Sequence, residues 1–458
     1  MSNELQEALT TFAEELEVPG ATAGVLIDGV EHSAFHGVTS VENPLPVDET
    51  TLFQFGSTGK TFTATAMMRL VEQGLVDLDA PVRTYVPELK LKDDDVAERV
   101  TVLQLFNHTA GWQGDLHTDT GSGDDALEKY VAAMADLVQV TPLGASVSYN
   151  NASLCLAGHL IAKVTGKSYE EAMRELVLAP LGLDNTLSSI HDIIVKRFVV
   201  GHIRHDDGRI TIAKPFAMPR GITPAGGWSA TLGDQLAWAR FHLGDGTAPD
   251  GTQFLSRELL DRMKQPTADM RGSAIGDYVG ISWLLRDIDG VRTVGHGGTV
   301  IGQYSDFLMV PERNFAVTSL SNCGPNGPQL NHRLVKWALE HYLGVVDADA
   351  EPIVLGDDAL SQYVGRYETI AAFLDITADG GRLLAKVSPK RELVEGAERP
   401  EQPPVPIALT STEGDQFIIP EGAAKGMKGY FARNAAGDVE GIHFGGRLAT
   451  KTTELVPA

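Results

Sequence analysis

Sequence patterns typical of β-strands occur at two places far apart in the chain, and mostly helical patterns fill the stretch between them. Ala21–Ile27 and Val30–Val38 are rich in apolar residues and are joined by Asp28-Gly29, a dipeptide that type I′ hairpin turns prefer. Strand patterns return over 280–320, whereas the signals from Asp77 to about Pro224 are mostly helical. We therefore expect an α/β fold of the α+β kind, with an antiparallel sheet flanked by helices and by a mostly helical insertion.

Hydrophobic periodicity, helix caps and turn residues place the individual elements. They predict helices over 4–16, 62–75, 102–106, 152–164 and 330–343, and later strands over 280–286, 291–294, 304–310 and 315–320.

The composition changes after Gly344 to a stretch rich in Asp, Ala, Glu and Pro, and short alternating runs with Gly-rich turns follow. We expect a main domain over 1–345, a linker over 346–358 and a small C-terminal β domain over 359–458. Within the main domain, the sheet part is expected over about 1–80 and 260–345, and the helical part over about 81–259. A chain of 458 residues is long enough for such a division, because single cores stop growing well below this size.

Acidic residues outnumber basic residues by 61 to 37, which gives a formal net charge of -24. Phosphate backbones and anionic lipids repel a chain this acidic, so we expect neither a nucleic-acid nor a membrane partner. The first residues lack a basic segment followed by an apolar segment, and no apolar run is long enough to cross a bilayer. The expected location is the cytoplasm.

Two cysteines, Cys155 and Cys323, cannot form a disulfide framework or a four-cysteine zinc site. His202 and His205 lie near two aspartates, but Asp207-Gly208 between β-prone residues favours a hairpin turn over a metal site. We expect no cofactor and no metal.

Ser57-Thr58-Gly59-Lys60 matches the pattern S-x-x-K. A serine in the first turn of a helix has a lysine three residues later on the same face, so the amine reaches the hydroxyl. Burial disfavours the ammonium form, so Lys60 can serve as a neutral base. The alternatives are a capping serine with a surface lysine, or a phosphate-binding loop, although that loop requires glycine where Gln54 stands.

Two further triplets carry candidate site residues. Tyr149 and Asn151 form a Y-x-N triplet at a helix start, where the phenol can relay a proton and the Asn151 amide can orient both Lys60 and a substrate carbonyl. The alternative is a helix cap by Asn150 or Asn151 with a core tyrosine. His296, Gly297, Gly298 and Thr299 lie in a strand-like region, where paired glycines weaken a sheet unless a ligand or another backbone must approach closely. A simple bulge is the alternative there.

The order S-x-x-K, Y-x-N, H-x-G resembles the penicillin-recognising serine hydrolases of the class C β-lactamase, D-alanyl-D-alanine carboxypeptidase and D-aminopeptidase group. The resemblance covers residues 1 to about 345 and includes the short sequence segments at 74–81, 105–111 and 224–229. It implies a β-lactamase-like fold, and the C-terminal segment resembles the small barrel-like domains appended to D-aminopeptidases. Such barrels cover or shape the mouth of the active site in relatives.

The resemblance implies that Ser57 attacks a carbonyl to form an acyl-enzyme, and that Lys60 and Tyr149 move the proton. Backbone N–H groups of Ser57 and Thr299, the latter on an edge strand, would hold the oxyanion. Class C β-lactamases have lysine where this chain has His296, so a dedicated β-lactamase is disfavoured, and a histidine that gains charge would make substrate binding pH-dependent.

We therefore expect a cofactor-free serine hydrolase acting on small esters or amides, among them D-amino-acid peptides or amides, carboxylic esters and β-lactams. The alternative is a non-catalytic descendant that binds peptide or acyl ligands. A small molecule or short peptide is the expected partner, and assembly into a homo-oligomer stays open.

Overall fold

The computed structural model describes residues 2–116, 118–369, 372–390, 403–411, 414–422 and 424–452. Residues 453–458, the end of the C-terminal domain expected over 359–458, lie outside the described residues.

Most of the strands of the first 345 residues form one large sheet, and the rest form small sheets beside it. The strands are β1 (Gly20–Ile27), β2 (Val30–Gly37), β3 (Phe53–Gln54), β4 (His202–Arg204), β5 (Ile210–Ile212), β6 (Ser229–Ala230), β7 (Ala268–Ser273), β8 (Gly276–Val279), β9 (Leu284–Ile288), β10 (Val291–Thr299), β11 (Tyr304–Val310), β12 (Phe315–Ser321) and β13 (Cys323–Gly324).

Helices flank the sheet and form the insertion, and one short helix precedes the C-terminal strands. They are α1 (Ser2–Glu15), α2 (Gly59–Glu72), α3 (Asp94–Arg99), α4 (Val102–Phe106), α5 (Ala126–Ala133), α6 (Asn151–Thr165), α7 (Tyr169–Met173), α8 (Ile190–Ile193), α9 (Thr223–Gly226), α10 (Leu232–Leu243), α11 (Arg257–Arg262), α12 (Asn326–Ala338) and α13 (Asp357–Leu360).

The large sheet joins the two ends of this region, as the sequence predicts. Among the described residues its order is β2-β1-β12-β11-β10-β9-β8-β7, with all neighbours antiparallel. The turn between β1 and β2 has positive φ at both Asp28 and Gly29, as a type I′ turn requires. Strand β1 then pairs with β12, which comes from the far end of the region.

Helices cover both faces of this sheet. Helices α1 and α12 pack on one face, where Ala21, Ala23 and Val25 of β1 belong to their hydrophobic cluster. Helix α10 packs on the opposite face, against β1 and β12. Successive side chains of β1 point to opposite faces of the sheet, and helices cover both faces, so the strand is buried on both sides. The predicted antiparallel sheet with flanking helices and a helical insertion is therefore confirmed.

Strands β7 and β8 are absent from the sequence prediction. Ala268–Ser273 carries polar residues and has no clear alternation, so its sequence pattern is weak. Its burial comes from a tertiary contact, because Met270 packs with Val147 in a small separate cluster. Strand β10 also runs to Thr299, five residues beyond the predicted end at Val294.

The C-terminal strands close into a barrel within the described residues, in the order of the chain. They are β14 (Gly365–Glu368), β15 (Ala372–Asp379), β16 (Arg382–Pro389), β17 (Val405–Leu409), β18 (Gln416–Ile418), β19 (Lys428–Arg433), β20 (Val439–Phe444) and β21 (Arg447–Lys451). Buried aromatic and aliphatic side chains, among them Tyr367 and Phe431, fill the interior. The barrel therefore has its own core.

The end of strand β10 differs from the edge strand expected from the sequence. The strand is interior, but β9 pairs only with Val291–Gly295, so 296–299 has one side free of strand partners. The turn that carries Ser57 packs against this end of the strand, because a Cβ at position 298 would overlap the Phe55 carbonyl oxygen. The glycine thus admits the backbone of the chain itself.

No helix among the described residues combines the length and apolarity that a bilayer crossing needs.

Replacing Gly298 with alanine should destabilise the fold and separate β10 from the Ser57 turn. Overpacking of this kind costs about 1–3 kcal/mol. Gly297→Ala is the matched control, because a Cβ there lies 3.6 Å from the nearest atom, the Ser305 carbonyl oxygen. Urea unfolding followed by tryptophan fluorescence should show a loss for Gly298→Ala alone, and equal losses for both variants would contradict the close approach.

Candidate active site

Ser57 lies in a tight turn that leads directly into helix α2. A 3₁₀ turn spans Gly56–Thr58, and Gly56 has a φ of +51, a value that glycine adopts without strain. The Ser305 hydroxyl donates to the Phe55 carbonyl at 2.7 Å, and Thr58 Oγ1 lies 3.0 Å from the His296 carbonyl oxygen. The turn is therefore fastened to the sheet on both sides of the serine.

Lys60 is completely buried and lies one helical turn beyond Ser57. Its Nζ donates to Ser57 Oγ at 2.9 Å and to the Ala225 carbonyl at 2.5 Å, so neither hydrogen-bond partner is an acid. Burial lowers the pKa of Lys60 to about 7, although the Cys155 thiol and the Asp115 carboxylate oppose this effect. The lysine is thus buried against the serine, which disfavours both a surface lysine and a lysine that contacts nucleotide phosphates.

Tyr149 and Asn151 stand on either side of the cap of helix α6. Asn150 is the cap, since its side chain accepts the Ser153 N–H at 2.8 Å. This leaves the two flanking side chains free of capping. The centroid of the Tyr149 ring lies 4.9 Å from Lys60 Nζ. Burial raises the pKa of the phenol, while a hydrogen bond with Ser57 opposes that rise. Tyr149 therefore remains a neutral proton donor.

His296 meets the phenol from strand β10. Tyr149 Oη lies 3.5 Å from His296 Nε2, and His296 Nδ1 donates to the Gly297 carbonyl at 2.6 Å. This donation places the ring proton on Nδ1 and leaves Nε2 as an acceptor. Burial, followed by repulsion from Lys60, lowers the pKa of His296 to about 3. The histidine expected from the sequence to gain charge is therefore neutral at physiological pH.

Thr299 completes the group at the end of β10. A Cβ at Gly56 would lie 2.7 Å from the Thr299 nitrogen, so the backbone of 299 adjoins the Ser57 turn. The structure thus brings Ser57, Lys60, Tyr149, His296 and Thr299 together in one place, and this geometry can support attack on a carbonyl.

A cavity of about 60 Å³ opens beside these residues. Most of its wall is apolar, so it suits a small uncharged group next to the serine. Its lining consists of Ser57, Asp115, Leu116, Tyr130, Asn151, Met218, Ile222, Ala225, Gly226, Thr299 and Val300.

The structure adds Asp115 and Arg447, which the sequence analysis missed. Arg447 binds Asp115 through two hydrogen bonds, from Nε to Oδ2 at 2.6 Å and from Nη2 to Oδ1 at 3.0 Å. The Asn151 amide donates to the same carboxylate at 2.7 Å. The sequence pattern indicated that the Asn151 amide orients Lys60 and a substrate carbonyl, whereas in the structure this amide donates to the Asp115 carboxylate.

Arg447 reaches the site from the barrel. It follows the Gly445-Gly446 turn between β20 and β21, and its guanidinium lies 5.3 Å from the centroid of the Tyr149 ring. The Gly446 carbonyl accepts the Tyr149 N–H at 2.9 Å, and the Leu448 N–H donates to Ser148 Oγ at 3.3 Å. The barrel thus contributes a cation and backbone contacts to the cleft.

The residues considered for a metal site have structural partners. His202 Nε2 accepts the Val41 N–H at 3.2 Å and Nδ1 donates to the Asn322 carbonyl at 2.8 Å, while Asp207-Gly208 turns the hairpin between β4 and β5. In the described part of the chain, no three His, Cys, Asp or Glu side chains are grouped as metal ligands.

A double-mutant cycle should detect coupling between Asp115 and Arg447. Removing either side chain leaves the other charge uncompensated in a cleft, so we expect a coupling energy of about 1–3 kcal/mol. The Arg257 and Asp261 pair, which is largely exposed on α11, should give about 0.5 kcal/mol or less. Unfolding in urea, followed by tryptophan fluorescence, measures both cycles, and equal coupling would contradict a structural role for the Arg447 contact.

Comparisons with known proteins agree with this geometry. The sequence model of the family described as Beta-lactamase matches residues 5–340. Penicillin-binding protein 4 of Amycolatopsis lactamdurans is 34% identical over 322 residues, which span 70% of this chain and 84% of that protein.

Solved structures share the fold. SurE superposes with a TM-score of 0.77 at 25% identity, and the match covers 98% of this chain and 99% of SurE. The D-amino acid amidase of Ochrobactrum anthropi SV3 superposes with a TM-score of 0.61 at 23% identity, over 74% of this chain and 99% of that chain. Because the family match covers most of the sequence and coincides with the part that carries the serine, lysine and tyrosine, the chain belongs to the Beta-lactamase family of serine hydrolases.

Proposed function

We propose that this protein hydrolyses small esters or amides through an acyl-enzyme on Ser57. The observation that carries the proposal is the 2.9 Å contact between Ser57 Oγ and the Nζ of a fully buried lysine. A lysine whose pKa is about 7 is largely neutral at slightly alkaline pH and can accept the serine proton.

Acylation follows from the positions of these groups. Ser57 Oγ forms a bond to the substrate carbonyl carbon while Lys60 takes its proton, and the backbone N–H groups of Ser57 and Thr299 stabilise the oxyanion. The carbonyl then re-forms as the bond to the leaving group breaks. Tyr149, a neutral phenol next to the serine, donates a proton to that leaving group and regains one from the protonated lysine. Water later hydrolyses the acyl-enzyme ester on Ser57, which releases the acid and restores the serine hydroxyl.

The site favours substrates with a small apolar group beside the scissile bond, because the cavity is small and mostly apolar. His296 stays neutral and supplies no cation for a substrate carboxylate at that position, which supports esters, D-amino-acid peptides or amides over a dedicated β-lactamase role. The Amycolatopsis relative is named a penicillin-binding protein, and a D-amino acid amidase shares the fold. Substrate assays should therefore include both β-lactams and D-amino-acid amides.

Covalent labelling tests the proposed nucleophile. A fluorophosphonate should add one phosphonyl group to the parent protein and none to Ser57→Ala, because only an activated serine reacts. Intact-protein mass spectrometry gives the stoichiometry, and peptide mapping locates the adduct.

Ser33→Ala, at an exposed position of β2, is the matched control and should be labelled like the parent. Parallel incubation with benzylpenicillin, together with a ring-opening assay, distinguishes a stable adduct from turnover. An unlabelled parent that also turns over no ester, amide or β-lactam would refute the hydrolase proposal and favour a ligand-binding descendant.

The pH dependence of kcat/KM tests the proposed base. Lys60 is protonated below its pKa of about 7, so we expect kcat/KM for a neutral ester to rise about tenfold per pH unit well below pH 7 and to level off above it. His296, with a pKa of about 3, should add no further step between pH 5 and 9. A flat profile over that range would contradict Lys60 as the base.

A further inference from the structure

His108 is a fully buried histidine that has no part in the proposed chemistry. It follows helix α4 and has a φ of +61, a backbone conformation that costs free energy in a residue other than glycine. The Asn107 carboxamide supports this conformation, since its Oδ1 accepts the Thr109 hydroxyl at 2.6 Å and the Thr109 N–H at 3.3 Å. The fold therefore holds this side chain in a defined place.

His108 contacts both the ring of Tyr149 and the backbone on either side of it. The two rings lie 4.5 Å apart, centroid to centroid, with an angle of 43° between their planes. His108 Nδ1 accepts the Asn150 N–H at 3.2 Å, and the His108 carbonyl accepts the Ser148 N–H at 3.0 Å. One residue thus fixes the segment that carries the phenol and packs against the phenol ring.

The phenol oxygen needs such support because its hydrogen bond with Ser57 involves the reacting hydroxyl itself, and its polar contact with the sheet is long. Tyr149 Oη lies 3.5 Å from His296 Nε2, at the limit of a hydrogen bond. Proton transfer is sensitive to displacement of the donor, and an error of about 1 Å can cost a factor of about 100 in rate.

We propose that His108 is a positioning residue that holds the Tyr149 phenol in place for proton transfer at Ser57. The proposal rests on the proposed function of Ser57, Lys60 and Tyr149, and adds a residue that contacts neither substrate nor the reacting atoms.

The surroundings of His108 keep its ring neutral. Burial is the largest cause of a His108 pKa far below the ordinary histidine value, and positive charge on Lys60 and Arg447 lowers that pKa further. With Nδ1 accepting the Asn150 N–H, the ring proton is on Nε2. His108 therefore packs against Tyr149 without adding a positive charge beside the catalytic lysine.

Two substitutions separate the two contacts. His108→Asn retains a side-chain acceptor near the Nδ1 position and tolerates positive φ, but it removes the ring; His108→Phe retains a ring and removes the acceptor. His242→Asn is the matched control, because His242 is equally buried in α10 and contacts none of the proposed site residues. Thermal unfolding establishes that each variant is folded.

The rate constant for phosphonylation of Ser57 is the first readout. We expect His108→Asn and His108→Phe to lower it roughly tenfold to a hundredfold, while His242→Asn keeps the parent rate. If one His108 variant does not fold, the other carries the test. Parent-like rates in folded His108 variants would overturn the proposal.

Coupling to Tyr149 is the second readout, and general loosening of the core would not produce it. In a Tyr149→Phe background, His108→Asn should change the remaining rate less than twofold, because the phenol that it positions is gone. An undiminished effect in that background would overturn the proposal while leaving the hydrolase function intact. If the parent is not phosphonylated at Ser57 and turns over no ester, amide or β-lactam, both proposals fail together.

Discussion

The organisation of this molecule depends on keeping one amine out of water. Lys60 lies between Ser57 and the Ala225 carbonyl, with no acid as its hydrogen-bond partner, and burial brings its pKa to about 7. An ammonium group is costly in such surroundings unless it is paired, so the neutral form is accessible. Helix α2 places the amine, α9 supplies the carbonyl, and the end of β10 closes the other side of the serine turn. The large sheet and the helical insertion thus meet where the amine is buried.

The barrel extends this arrangement to Asp115 and to the segment that precedes α6. Arg447 neutralises Asp115, and the Gly446 carbonyl holds the Tyr149 backbone, so the segment at the start of α6 is fixed from the barrel as well as from His108. The large sheet, the helical insertion and the barrel therefore all contribute residues to the cleft.

The division into domains over 1–345 and 359–458 stays a prediction, as do a cytoplasmic location and assembly into a homo-oligomer.

Local sequence signals predicted the framework, because hairpin turns, helix caps and apolar periodicity act within a few residues. Asp28-Gly29 identified the first hairpin, and the spacing from Ser57 to Lys60 predicted the contact between their side chains. Strand β7 was missed because its burial depends on a tertiary contact. Asp115 and Arg447 were missed for the same reason: each is an ordinary charged residue until the barrel docks. The charge of His296 also depends on burial and on Lys60, so its residue type alone suggested a titrating group.

The Gly445-Gly446 turn has a further consequence for how such a site diversifies. Loop tips on a closed barrel usually tolerate substitution, because the strands that carry them are held by their own core. This turn is an exception: both glycines have positive φ, the Gly446 carbonyl holds the Tyr149 backbone, and Arg447 next to it pairs with Asp115. The tip of the barrel and the serine site are therefore expected to evolve together, since a change on one side requires a compensating change on the other.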